Sequence, residues 1–446
     1  MLVHICRRWR NLAFGRPGHL NLQLGCKSKT DLKAALDIWP ALPIIIDASF
    51  KDDADEDDIV GALEDRDRIV GIRLWGLTQS KVKKCLRVML QPFPVLTSLE
   101  LHTEQGKATC ALVNTDAFLG GSAPWLKRLS LAGIQFSALP TLLSSASELV
   151  DLHIGDYPRS GREHISPDAM SRCLSSLTQL RSLFIYFRRS RPEFTYPTTQ
   201  RAPPSTLAPA VLPALTNLSL GGPHEYLEDL LTRIDTPLLE HGLLDFCDVP
   251  NFDHPQISQF IHRTGMFNLP SELDVYIRKC VLFRLQVISS IGPEKEFSMG
   301  FSGSDLALNT EVELMEQICT RCPPLLSHIE RLTLSENDVE YRYWTLSAPW
   351  LEFLQPFTAV QTLRLSGPVI VPGVSRTLGK LAEKRATGVL PALRTVVLEW
   401  TREVVSEAVL LVEPYIVARK HSEHPVALKR RPWDDDGSGW DSSDAE

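Results

Sequence analysis

A chain of 446 residues with 47 basic and 54 acidic side chains has a formal charge of −7, which argues against unspecific nucleic-acid binding, since that needs a basic field. Its 43% apolar and 23% charged content are those of a folded protein, and no run reaches the roughly 18 apolar residues that span a bilayer. Nine scattered cysteines make no disulfide framework and no apolar h-region follows Arg7, Arg8 and Arg10, so the expected location is cytoplasmic, nuclear or both.

Residues 2–14 read as a helix. Leu2, Ile5, Cys6, Trp9, Leu12 and Ala13 share one face, and Gly15, Pro17 and Gly18 end it. Leu20, Leu22 and Leu24 alternate with Asn21 and Gln23, which predicts a strand. A short helix is expected over 32–39, stopped at Pro40, and Ile44-Ile45-Ile46 is a candidate buried strand. The run 51–58, with six acids in eight residues, reads as a solvated loop.

From Ile69 one phrase recurs: aliphatic, two residues, aliphatic, one residue, aliphatic. It begins at positions 69, 96, 126, 149, 180, 215, 329, 360 and 393, as in Leu96-Thr-Ser-Leu99-Glu-Leu101 and Leu126-Lys-Arg-Leu129-Ser-Leu131. Each phrase predicts a strand with residues alternating between two faces. Helical spacing lies between phrases, as in 77–90 and 136–149. Strand plus helix at intervals of 23 to 35 residues is the leucine-rich-repeat signature. Pro94, Pro124, Pro213 and Pro391 precede phrases and read as corners, because proline cannot continue a helix. Residues 187–213, rich in Pro, Ser, Thr and Arg, form a loop between repeats, and 239–310 read as degenerate or longer repeats. From about Arg419 the pattern stops, and 419–446 are expected to be a disordered charged tail.

Ile5-Cys6-Arg7-Arg8-Trp9-Arg10-Asn11-Leu12-Ala13 resembles the last helix of an F-box. With Asp37-Ile-Trp39-Pro40-Ala-Leu42-Pro43-Ile44, Ile234-Asp-Thr-Pro237-Leu-Leu239, Leu354-Gln-Pro356-Phe357-Thr-Ala-Val360 and Val389-Leu-Pro391-Ala-Leu393, the chain from Leu2 to about Pro414 resembles the F-box-like leucine-rich-repeat proteins of mushroom-forming fungi. The pattern departs at its start, where Met1 abuts the final F-box helix and the adaptor-docking helices are missing. The resemblance implies an α/β leucine-rich-repeat solenoid, an irregular horseshoe with a short N-terminal helical F-box remnant. On this reading 1–18 are the remnant, 19–68 a linker or N-terminal cap and 69–418 the repeat domain. It also implies a substrate receptor of a cullin ubiquitin ligase, with Ile5, Cys6, Trp9 and Leu12 nearest a Skp-type adaptor. The alternative is a repeat protein that holds a partner outside any ligase.

Positions between the phrase leucines point away from the core of a solenoid and are candidate partner contacts. Trp, Tyr and Arg there resemble interface hot spots. The candidates are Arg73, Trp75, His102, His153, Phe184, Tyr186, Arg364 and Trp400, with Glu100, Ser130, Ser219, Thr333 and Val397 among them. A protein substrate on the concave repeat face is the expected partner, with no membrane and no nucleic acid.

Catalytic patterns are weak. Cys319-Thr-Arg-Cys322 lacks a second pair of metal ligands. Gly300-Phe-Ser302-Gly-Ser304 only approaches a nucleophile elbow, and His421-Ser-Glu-His424 lacks the zinc-hydrolase order. The sequon at Asn217 falls inside a repeat strand and is read as unused, and Lys429-Arg430-Arg431 reads as a solvated basic spot. No phosphate loop or dinucleotide fingerprint is present. The expectation is a protein without catalytic residues, cofactor or metal.

Overall fold

A computed structural model describes residues 22–25, 43–50, 56–104, 111–113, 117–136, 139–157, 165–187, 208–247, 255–264, 271–278, 280–287, 295–302, 326–336, 350–383, 388–420 and 425–432. The chain divides into two units, Met1–Leu238 and Leu239–Glu446. Both are mixed α/β. The F-box-like helix with Ile5, Cys6, Trp9 and Leu12, the helix expected over 32–39, the Cys319 and Cys322 pair and His421 to His424 all lie outside the described residues.

The first unit contains strands β1 (Leu22–Gly25), β2 (Ile44–Ser49), β3 (Ile69–Leu77), β4 (Ser98–Thr103), β5 (Ala111–Val113), β6 (Arg128–Ala132), β7 (Ile134–Phe136), β8 (Asp151–Tyr157), β9 (Ser182–Phe187), β10 (Ala210–Val211), β11 (Asn217–Pro223) and β12 (Ile234–Asp235). Its helices are α1 (Glu56–Ala62), α2 (Gln79–Val88), α3 (Leu139–Ser145), α4 (Pro167–Leu174) and α5 (His224–Thr232). The main sheet runs β1-β2-β3-β4-β6-β8-β9-β11 with every pair parallel. Strands β5 and β7, and β10 and β12, form two small parallel ladders.

The repeated phrase builds this sheet directly. Its first, fourth and sixth residues point into the core: Leu96, Leu99 and Leu101 are at most 2% exposed, and Leu180, Leu183 and Ile185 are buried in the same way. Each such burial stabilises by about 1.5–3 kcal/mol. The proline corners are β-turns: Leu96 N–H donates to Phe93 O (3.3 Å), Leu126 to Ala123 (3.1 Å), Leu215 to Leu212 (3.3 Å) and Leu393 to Leu390 (3.1 Å). In each, proline holds the second turn position, where its fixed φ is already correct. The second residue of each phrase then extends the ladder: Thr97 donates to Val70, Lys127 to Thr97, Val150 to Lys127, Arg181 to Val150 and Thr216 to Arg181.

Helices cover the core side. Val82, Cys85 and Leu86 of α2, and Leu139, Leu142 and Leu143 of α3, are buried at helical spacing. Ser166 caps α4, accepting from Ala169 N–H at 3.2 Å with Pro167 following it. Arg233 donates to Asp168 (3.2 Å) and Asp229 (3.0 Å), tying the start of α4 to α5.

Two expectations for this unit change. The ladder does not begin at Ile69: β1 and β2 already pair in parallel and lead into β3, and Ile44 and Ile46 face the core while Ile45 does not. The acidic run is also not wholly loop, because Glu56, Asp57 and Asp58 open α1. Acids suit a helix N-terminus, and Lys84 bridges to Glu56 at 3.3 Å and Asp57 at 3.8 Å.

The second unit contains β13 (His241–Cys247), α6 (Pro255–Arg263), β14 (Glu272–Arg278), β15 (Cys280–Val287), β16 (Lys295–Ser302), β17 (Arg331–Glu336), α7 (Trp350–Leu354), β18 (Thr362–Ser366), α8 (Ile370–Glu383), β19 (Thr395–Trp400), α9 (Arg402–Arg419) and β20 (Ala427–Pro432). The order is β13-β16-β15-β14-β17-β18-β19-β20. Residues 239–310 therefore are not a run of parallel repeats. Strand β15 is antiparallel to both neighbours, β14 and β16. The physical reason is length: only one residue separates β14 from β15, whereas a parallel return needs a crossover of a dozen or more.

The stretch 419–446, expected to be disordered, also contains structure. Helix α9 ends at Arg419, and β20 then pairs in parallel with β19, Leu428 opposite Val396. Pairing supplies what its sparse apolar content does not. Arg419 helps to hold this end, donating to Pro391 O at 2.6 Å. Glu336, 1% exposed, accepts from Val369 N–H at 3.1 Å just ahead of α8.

Candidate partner-binding face

Strand parity decides which side chains are available. On each strand the phrase leucines face the helices, so the residues between them face the other side. Arg73, Trp75, Glu100, His102, Ser130, His153, Phe184, Tyr186, Ser219, Thr333, Arg364 and Val397 all have this outward parity. Trp400 does not. It is two residues beyond Leu398 and so faces the core, 9% exposed against 41% for Trp75. Its inclusion among the outward candidates is corrected by the period of two. Val397 has outward parity but is 8% exposed, so it is also not free for a partner.

In the first unit, register lines the outward residues into rows. One row runs Asp47, Arg73, Glu100, Ser130, His153, Phe184 and Ser219 across β2, β3, β4, β6, β8, β9 and β11. Arg73 lies between Asp47 (3.9 Å) and Glu100 (3.3 Å). The next position along the strands supplies Trp75, His102 and Tyr186. Their rings join those of the first row in one band. Trp75 stacks on His102 with centroids 4.0 Å apart, and His102 meets His153 edge-on at 6.2 Å. His153 lies 4.1 Å from Phe184, and Phe184 lies 6.2 Å from Tyr186. Ser130 Oγ is 3.0 Å from His102 Nε2, which orients that ring.

Two glycines make room for the band. A Cβ on Gly155 would come within 2.9 Å of His153 Nε2, and one on Gly221 would run into the Tyr186 ring, which is its register partner. The rings can therefore lie low over the sheet. A row of half-buried rings with an arginine beside it can bury apolar surface and give orienting hydrogen bonds, which is the chemistry of a macromolecular contact.

Arg364 belongs to the second unit, where a different arrangement surrounds it. Its Nε donates to Glu399 Oε2 at 2.7 Å, and Arg431 approaches Glu399 Oε1 at 3.8 Å. The hydrogen bond to Glu399 holds the Arg364 pKa above its ordinary value, against the opposing effect of burial. Glu399 and Arg431 are not among the sequence candidates, because their proximity depends on the pairing of β18, β19 and β20.

Gly300 to Ser302 lie within β16. Asn217, on β11, gives its side-chain N–H to Thr216. Among the described residues no group of three His, Cys, Asp or Glu side chains is placed to hold a metal ion, and no helix is long and apolar enough to cross a membrane. Burial, with Glu56 beside it, pushes the Cys85 thiol up to about 12. The thiol should thus stay protonated and resist a disulfide reagent at neutral pH, reacting only at the rate of unfolding. Rapid labelling in the folded protein would show that Cys85 is not on the covered face of α2.

No model of a known protein family matches the chain, and no curated protein is significantly similar to it.

Proposed function

We propose that this is a non-catalytic leucine-rich-repeat protein that holds another protein on the outward, concave face of its strand ladder, and that it does so as an F-box-type substrate receptor of a cullin ubiquitin ligase. The observation that carries the binding part is the band Trp75, His102, His153, Phe184 and Tyr186, continuous across β3, β4, β8 and β9. The repeat reading is supported by one parallel strand per phrase from Ile69 to Pro223, with α2 between β3 and β4, α3 between β6 and β8, α4 between β8 and β9, and α5 after β11. The ligase part rests on the resemblance of Ile5 to Ala13 to an F-box helix.

Two measurements separate the parts. Proteins retained by the purified chain are compared with those retained by a Trp75→Ala, Phe184→Ala double variant. The expected result is a discrete set lost by the variant, and identical sets would remove the band from the function. A purified Skp-type adaptor is then titrated with the full chain. Association that weakens on Trp9→Ala is expected, and no detectable association would leave a protein-holding repeat that works outside the ligase.

A further inference from the structure

The outward side of β18, β19 and β20 carries an excess of positive charge. Register places Arg364, Val397 and Lys429 in one row and Ser366, Glu399 and Arg431 in the next. Three cations thus accompany one carboxylate on these strands, and Asp274 of β14 also acts on Arg364. Glu399 takes the hydrogen bond of Arg364, and Arg431 is 3.8 Å away with its side chain 56% exposed. Lys429 is exposed. Among the described residues β20 is also the last strand of its sheet, so its outer edge has no strand beside it. Such an edge is a template for a further strand, and its backbone groups need partners.

Directly after Pro432 the sequence changes sign. Residues 433–446 hold Asp434, Asp435, Asp436, Asp441, Asp444 and Glu446, and no lysine or arginine. We propose that the outward face and outer edge of β18–β20 are a docking surface for an acidic extended segment, and that its resident occupant is the stretch 433–446 of the same chain. The charges are complementary, and the segment is tethered at the edge it would cover. Its effective concentration there is of roughly millimolar order, and the loop to be closed is short. Asp436-Gly437 is the dipeptide favoured in two-residue hairpin turns. A turn there would return the chain along β20 with Asp444 across from Lys429, Ser442 across from Arg431 and Trp440 across from Trp433. An acidic protein bound in this place would have to displace the segment first. The inference does not depend on what the first unit holds.

The test uses the full chain and a zero-length carbodiimide, which joins a lysine to a carboxylate in contact, with cross-linked peptides identified by mass spectrometry. At about 20 mM salt a link from Lys429 to Asp444, or to Glu446 on the same side of the returning strand, is expected, falling at least about fivefold at roughly 0.5 M salt as the Debye length shortens. Arg431→Glu, an exposed change, should reduce the link by a similar factor. No link at low salt overturns the proposal. So does a link that ignores both salt and Arg431→Glu, because chain connectivity alone would then explain it. In a mixture of isotopically light and heavy chains the link should join peptides of one mass only, and mixed links would assign the surface to a second copy instead.

Discussion

Trp400→Ala should destabilise the second unit by about 3–5 kcal/mol, the cost of removing a buried aromatic and leaving a cavity. Trp75→Ala should change stability by no more than about 0.5 kcal/mol. Both tryptophans stand near the end of a repeat strand, and composition does not distinguish them. Parity does: Trp75 follows Leu74 by one residue and Trp400 follows Leu398 by two, so they leave the sheet on opposite sides. Their exposures, 41% and 9%, agree with that. Thermal unfolding of the two variants beside the parent is the measurement. At about 2–4 °C per kcal/mol the first should melt well below the parent and the second beside it. Equal small shifts would show that Trp400 is not part of the core.

Phe184→Ala should weaken the complex with the bound protein by roughly 30-fold, the effect of losing about 2 kcal/mol at an interface hot spot. Phe184 is the best candidate because, of the rings in the band flanked on both sides, it alone is wholly apolar, with His153 at 4.1 Å and Tyr186 at 6.2 Å. An inner apolar ring between two others is where water is most completely excluded on binding. Glu100→Ala, in the same row and engaged with Arg73, should cost far less, since exposed ion pairs are worth about 1 kcal/mol or less. The check is titration calorimetry with the protein recovered by the parent chain, together with melting curves that show each variant folded. If Trp75, Phe184 and Tyr186 can each be truncated without loss of affinity, the partner binds elsewhere.

Much of the sheet can be read from local spelling, for a physical reason. A phrase of fixed spacing determines which residues are buried, and neighbouring phrases pair because nothing else can cover them. Leu129, Leu152, Leu183 and Leu218 thereby lie side by side in register, each at the fourth position of its phrase. Pro94, Pro124, Pro213 and Pro391 are legible as corners because their effect is confined to one turn. Features that depend on distant pairing are not legible. The segment Ala427–Pro432 has the charge of a solvated stretch and becomes a strand only because β19 offers an edge. The contact of Arg364 with Glu399 spans 35 residues and exists only once the register of β18 and β19 is set. The ring band is legible as separate outward residues. Its continuity is not, because it also requires small residues at Gly155 and Gly221.

The reversed strand β15 bears on how this chain tolerates changes of length. Where every strand is parallel and followed by its own return, a whole unit can be duplicated or deleted and the strands on either side re-pair in the same direction. Between β13 and β17 that freedom is lost. Strands β14, β15 and β16 are joined out of spatial order, with β16 beside β13 and β14 beside β17. Removing one of them would leave a connection of the wrong length or a neighbour of the wrong direction. The three form a single heritable block, and length variation is to be sought on either side of it.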